Sequence, residues 1–194
     1  MINNFSSKTD FVFDSLLPKR FQEISKVHWT PKKIIEVAIN WFKECKTSSV
    51  LDIGSGVGKF CVIGAQKSDL QFTGVELRKI LFKQAVKIKE ELSLSNVEFI
   101  NENILNVNFN DYDGFYYFNP FLEQIHEVDR IDESTIYSPT NFSVYENHVL
   151  DQLNNAKIGT AVITYCSPNL KLSNDFTMKQ MMFDGMLELW VKEC

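Results

Sequence analysis

At 194 residues, with 44% apolar and 23% charged positions, the chain has the size and composition of one globular domain with a substantial core. Its formal net charge of −5 excludes the general basic footprint of a protein that grips nucleic acid through its phosphates, although a local basic patch can sit within an acidic total. No apolar run approaches ~20 residues, Met1 to Asp10 is polar, and Cys45, Cys61, Cys166 and Cys194 show neither metal-ligand nor disulfide spacing; these features predict a cytoplasmic protein with reduced thiols, no metal site and no membrane span.

From Phe11 to Val27 apolar residues recur at helical spacing, interrupted by Pro18, which predicts two short helices. They would form an N-terminal helical cap over residues 1–29, ahead of a main domain over residues 30–194. Thr30-Pro31 then reads as a helix start, with a hydroxyl N-cap and proline in the first turn. Ile34, Ile35, Val37, Ala38 and Trp41 mark the buried face of that helix.

Ser48 to Ile53 is short, apolar and β-branched, as a buried strand requires. Gly54, Gly56 and Gly58 follow in alternation, and Phe60-Cys61-Val62-Ile63 resumes a helical run. Strand, glycine turn and helix together make a nucleotide-binding crevice at the carboxyl edge of a parallel sheet. The spacing departs from G-x-G-x-x-G, because Lys59 stands two positions after Val57. It also departs from the P-loop, since Ile53 occupies the first glycine position and Phe60 the hydroxyl position. The pattern left is D-x-G-x-G-x-G, whose leading Asp52 would repel a pyrophosphate but can pair with an ammonium group. A glycine turn with no ligand is the alternative.

Phe72-Thr73-Gly74-Val75-Glu76 is a second strand ending in an acid, 18 residues past Gly58. A carboxylate at that strand end can accept hydrogen bonds from both hydroxyls of a nucleoside ribose; a solvated surface glutamate is the bland reading. Leu77, Leu81, Ala85, Ile88 and Leu92 then describe an amphipathic crossover helix. Val97 to Ile100 is a third strand, followed by Asn101-Glu102-Asn103-Ile104. Asp111 to Gly114 signals a turn. Gly114 to Phe118 is a fourth, aromatic strand, with Asn119-Pro120-Phe121 at its carboxyl end; read without a ligand, this is an Asn-Pro turn. Glu123, His126 and Glu127 fall on a short helix, His126 reading more simply as a surface residue than as a base. Residues 131 to 141 read as a loop bordering an opening, Val144 to Leu153 as a helix, Ala161 to Tyr165 as a fifth strand broken by Cys166-Ser167-Pro168, and Leu187 to Val191 as a closing edge strand.

Strands alternating with helices predict a doubly wound α/β fold with a mostly parallel sheet. From Thr30 to Tyr165 the chain resembles the class I S-adenosylmethionine methyltransferases, on the strength of VLDIGSGVGKF, of GVE at Glu76 and of the strand-end NPF. The resemblance implies a Rossmann-like methyltransferase fold and S-adenosylmethionine as cofactor. It places Asp52 near the methionyl ammonium, with Gly54, Ser55, Gly56, Gly58 and Phe60 around the glycine loop. Glu76 and Leu77 would hold the ribose, Asn103 and Ile104 the adenine (Glu102 being the rival for Asn103), and Thr30 the cofactor carboxylate, with Trp29 closing over the site. Asn119, Pro120 and Phe121 resemble the [DN]-P-P-[FYW] motif of amino-group methyltransferases, one proline short. There the side-chain oxygen and a backbone carbonyl orient a planar amine toward the methyl group, which is positioning rather than proton chemistry. Methyl transfer requires no metal, because the sulfonium is an activated donor. The compact size, the short tail and the strand-end Asn-Pro-Phe resemble small protein-lysine methyltransferases, which implies a protein lysine as acceptor; a nucleic-acid adenine, a small-molecule amine, and a non-catalytic binding domain are the alternatives.

Overall fold

The computed structural model describes residues 10–126, 130–132 and 138–193. Seven strands form one sheet: β1 (Ser49–Ile53), β2 (Gln71–Val75), β3 (Val97–Ile100), β4 (Gly114–Tyr117), β5 (Ala161–Tyr165), β6 (Phe176–Met182) and β7 (Leu187–Lys192). Their order is β3-β2-β1-β4-β5-β7-β6. The first five strands run parallel, whereas β7 is antiparallel to β5 and β6 antiparallel to β7. The fold is a doubly wound, mostly parallel α/β sandwich of Rossmann-like topology, as the alternation of strands and helices predicts. The chain leaves β1 outward to β2 and β3, then returns across it to β4. That reversal opens a crevice at the carboxyl ends of β1 and β4, where such sheets bind ligands.

Period-two alternation sorts the strand side chains onto two faces. Val50, Tyr116 and Ile163 join one core beneath α4 (Lys32–Glu44), α5 (Lys59–Lys67) and α6 (Lys79–Glu91). Leu51, Ile53, Phe115, Tyr117 and Val162 face Val149 and Leu153 of α7 (Pro139–Asn154) in the other. Both faces are covered, so β1, β4 and β5 read as continuous apolar runs.

The N-terminal region holds α1 (Asp10–Asp14), α2 (Lys19–Glu23) and α3 (Ser25–His28): Pro18 breaks the pattern as expected, and Ile24 divides the second predicted helix. Thr30 does not cap α4. Pro31 takes the N-cap position with no side-chain bond, and the Thr30 hydroxyl lies 3.0 Å from the Tyr116 hydroxyl. At the far end, β7 is not the edge strand. It lies between β5 and β6, and β6 forms the border. β6 escapes pattern reading because most of it is exposed and its register shifts between Met178 and Gln180, so polar and apolar residues do not alternate cleanly. Among the described residues no helix is long and apolar enough to cross a membrane.

Candidate functional site

A cavity of about 600 Å³ opens at the carboxyl ends of β1, β2 and β4, within the size range of small-molecule sites. Of the residues that the resemblance assigns to cofactor or acceptor, Gly54, Gly56, Glu76, Leu77, Asn103, Ile104, Asn119, Pro120 and Phe121 line it, as do Glu102, Glu123 and His126. Trp29, which follows α3, lies along one side, and Phe118, Tyr145 and Tyr165 add aromatic surface.

Glu76 follows the last residue of β2 and is only 7% exposed. Its carboxylate accepts hydrogen bonds from the Gly56 N–H (3.0 Å) and the Arg78 N–H (2.7 Å). A carboxylate has about four lone-pair sites, so this tethered group keeps acceptor capacity for a ligand. Burial raises its pKa against those bonds and against Arg78, which lower it. The glycine loop is bent around this acid, with positive φ at Gly54 (74°), Gly56 (56°) and Gly58 (79°). At Gly56 the demand is steric as well as conformational: a Cβ would lie 2.7 Å from Trp29 Cζ3. The Trp29 ring is itself fixed by an Nε1–H bond to the Phe21 carbonyl (3.1 Å).

Asn119, two residues past the end of β4, has a φ of 39°, a left-handed conformation that asparagine tolerates better than most residues. Cys166, at the end of β5, also has positive φ (48°). The two strand ends are stitched together. The Asn119 side-chain amide donates to the Cys166 carbonyl, and the Asn119 N–H donates to Ser167 Oγ (3.1 Å). Because a carbonyl can only accept, the amide nitrogen must face Cys166, which leaves Oδ1 as the free end. Asn119 lines the cavity, and among the described residues its Oδ1 accepts no hydrogen bond.

Five candidates lie elsewhere. Asp52 is 4% exposed and absent from the cavity wall. In β1 it shares the face of Val50, pairs in register with Tyr116, and accepts a hydrogen bond from the Cys61 thiol (3.4 Å). Strand alternation therefore turns it under α5 rather than toward a ligand. Burial pushes its pKa up to about 7, with Glu76 adding to the rise. Phe60 stacks on Tyr116 with centroids 3.7 Å apart, so it and Thr30 form the packing beneath the site. Gly58 heads α5, and the N–H of Ser55 is spent on the Val75 carbonyl (2.8 Å). It is Gly54 and Gly56, not the first turn of α5, that border the cavity. Lys59, which breaks the G-x-G-x-x-G spacing, is buried against Asp14 of α1 (3.0 Å).

Asn103 lines the cavity with its side chain partly committed: Oδ1 accepts from Leu105 N (3.0 Å) and Nδ2 points to the Tyr145 hydroxyl (3.4 Å). Its rival Glu102 accepts from Asn103 N (2.7 Å) and Asn106 Nδ2 (2.9 Å). Glu123 and His126 border the cavity around a single 3-10 turn, Leu122–Gln124. Glu127 lies outside the described residues, as does 133–137 of the expected loop. Arg78, Phe118, Tyr145 and Tyr165 were not anticipated as wall residues; Phe118 and Tyr165 were accessible from the strand ends alone. Among the described residues no cluster of three metal-ligating side chains occurs.

The buried Asp52 gives a stability test. An acid with a folded pKa near 7 and an unfolded value near 3.8 keeps its proton in the folded state while the unfolded chain loses it. Stability is then greatest below the lower value and declines as pH rises to the upper one. Between about pH 5 and about pH 8 the loss is on the order of 2 kcal/mol. Asp52→Asn keeps an acceptor for the Cys61 thiol and removes the titration. The melting temperature of the variant relative to the native protein should therefore rise by about 5 °C across that interval. A pH-independent difference would contradict a buried, protonated Asp52.

A family model described as a methyltransferase domain matches residues 45–188. A tRNA (guanine-N(7)-)-methyltransferase of Synechococcus sp. (strain JA-3-3Ab) is 47% identical over 55 residues, 28% of this chain and 23% of that protein. The enzyme of the same name from Oceanobacillus iheyensis is 40% identical over 58 residues, 29% and 27% of the two chains. The chain thus spans about a quarter of the length of the curated relatives it matches. Among solved structures, an RNA methyltransferase from Salinibacter ruber in complex with S-adenosyl-L-homocysteine superposes with a TM-score of 0.58 at 16% identity, covering 84% of this chain and 93% of that one. The magnesium protoporphyrin IX methyltransferase of Synechocystis PCC 6803, with bound S-adenosylmethionine, gives 0.60 at 13% identity, covering 97% and 93%. These two likenesses establish the fold.

Proposed function

Because the chain belongs to the methyltransferase-domain family, we propose that its cavity binds S-adenosylmethionine and transfers the methyl group to a nitrogen of an RNA base. The observation that carries this reading is the pairing, on one cavity, of a buried tethered carboxylate at the β2 end with an oriented amide oxygen at the β4 end.

The residues fit the cofactor. Glu76 has acceptor capacity for the ribose hydroxyls, and the bare backbone of Gly54 and Gly56 lets the nucleoside lie against the loop. Leu77 and Ile104 offer apolar contact to an adenine, and Asn103 retains one lone pair on Oδ1 for its amino group. Thr30, Ser55, Gly58, Phe60 and Asp52 act from beneath, by fixing the strand end and the loop. When bound, S-adenosylmethionine supplies an electrophilic methyl group. Asn119 Oδ1 would accept a hydrogen bond from an N–H of the acceptor base and so turn its reacting nitrogen toward the methyl group, while Pro120 and Phe121 shape the wall beside it; the contribution is orientation.

An RNA base as acceptor draws support from the names of the sequence relatives, which act on tRNA. It also draws on the aromatic wall of Phe118, Phe121, Tyr145 and Tyr165, which suits stacking of a planar base. Exposed Lys79 and Lys83 on α6, next to the cavity residue Arg78, offer a local basic patch within the acidic total. The protein lysine expected from the compact size finds no counterpart among these relatives.

Methyl-labelled S-adenosylmethionine incubated with separate tRNA, other RNA and protein fractions tests the proposal. Label is expected in an RNA fraction, and Asn119→Ala should cut incorporation about 10²-fold or more with little change in cofactor affinity. Label confined to protein overturns the RNA acceptor, and undiminished transfer by Asn119→Ala removes that residue from the site.

A further inference from the structure

We infer that Arg78 is a positioning residue that couples the nucleoside side of the cavity to its acceptor wall; this rests on the nucleoside site proposed at Glu76. Arg78 stands two residues after Glu76 and donates its backbone N–H to the Glu76 carboxylate (2.7 Å). Its guanidinium reaches the other way, with Nη2 2.9 Å from Glu123 Oε2 and Nε 3.8 Å from Asp132 Oδ1. The same Glu123 oxygen accepts the Ile131 N–H (3.3 Å). Glu123 sits in the turn that begins with the Leu122 N–H bonded to the Asn119 carbonyl (3.2 Å). One residue therefore joins the carboxylate of the nucleoside site to the segment carrying the acceptor-orienting amide.

The pair is placed to act as more than a surface contact. The Arg78 and Glu123 side chains are only 15% and 14% exposed, so their attraction is weakly screened and neither is solvated well enough to be indifferent to losing the other. Glu76 also holds the Gly56 N–H, so a ligand that steadies Glu76 steadies the glycine loop and the Arg78 backbone together. The guanidinium passes that restraint to Glu123 and Asp132. By reciprocity, an acceptor that orders this wall would tighten cofactor binding by the same factor.

Hydrogen exchange of the full chain with and without S-adenosylhomocysteine, alongside calorimetric affinity, tests the coupling. In the native protein the ligand should slow exchange both at Gly54–Gly58 and at Phe118–Gln124. Arg78→Gln keeps the backbone N–H to Glu76, so ligand protection at Gly54–Gly58 should persist. The ligand-dependent gain at Phe118–Gln124 should fall about tenfold. The charge-swapped double variant Arg78→Glu/Glu123→Arg should restore much of it. A merely structural role would lower protection of the wall equally with and without ligand, and that result, or a full ligand-dependent gain in Arg78→Gln, overturns the coupling alone. Failure of the native protein to bind S-adenosylhomocysteine overturns the nucleoside reading, and the coupling with it.

Discussion

Replacing Glu76 by alanine is expected to weaken binding of S-adenosylmethionine and S-adenosylhomocysteine by about a hundredfold or more. Hydrogen bonds to a charged acceptor contribute roughly 1.5–3 kcal/mol each, and a ribose diol would make two of them. The variant also strips the Gly56 and Arg78 N–H groups of their shared acceptor in a buried setting, so the glycine loop loses its tether together with the ligand contact. Glu76→Gln, which keeps one side-chain oxygen, should fall between, at about tenfold. Because burial raises the Glu76 pKa, affinity should decline on acidification sooner than for an ordinary exposed glutamate. Calorimetric titration of the three proteins reads this directly, and unchanged affinity in Glu76→Ala would mean that the nucleoside lies elsewhere.

Gly58→Ala should cost about 3–5 kcal/mol of stability and lower the melting temperature by about 10 °C. Two costs add. The backbone sits at φ of 79°, where a side chain is strained by about 1–2 kcal/mol. A Cβ there would also lie 2.5 Å from Phe99 Cζ and 2.9 Å from Ala85 Cβ, within a packed core that must shift to admit it. Gly159→Ala is the matched control: its φ is 90°, yet nothing lies within 4 Å of the added carbon. Its loss should be confined to the backbone cost, about 1–2 kcal/mol. Thermal melts that shift equally for both variants would show that packing at the head of α5 is not limiting.

Much of this architecture is legible in the sequence because burial on both faces writes parallel strands as short apolar runs. β3 and β5 match their predicted bounds, and β1 differs by one residue at its start. Glu76 and Asn119-Pro120-Phe121 are legible as cavity-wall positions for the same reason, since each follows such a run. Asp52 shows where reading a motif stops short. A motif gives order along the chain, whereas the face is decided by parity, and Asp52 shares the parity of Val50 and Tyr116. Thr30 met a tertiary partner, the Tyr116 hydroxyl, 86 residues away, which no local capping rule contains. Arg78 escapes sequence reading because an arginine before an amphipathic helix looks solvated until the turn at Glu123 is folded against it.

The border strand β6 bears on how copies of this protein coexist at high concentration. Its outward edge carries Met178, Met181 and Met182, all substantially exposed, and a straight ladder of that kind would invite a second molecule to zip alongside. The shift at Met178/Gln180 breaks the rhythm of donors and acceptors, and Lys179, paired with Glu193, sets a charge at the break. The irregularity that hides this strand from pattern reading thus also interrupts the even ladder that a second molecule would need to pair along it.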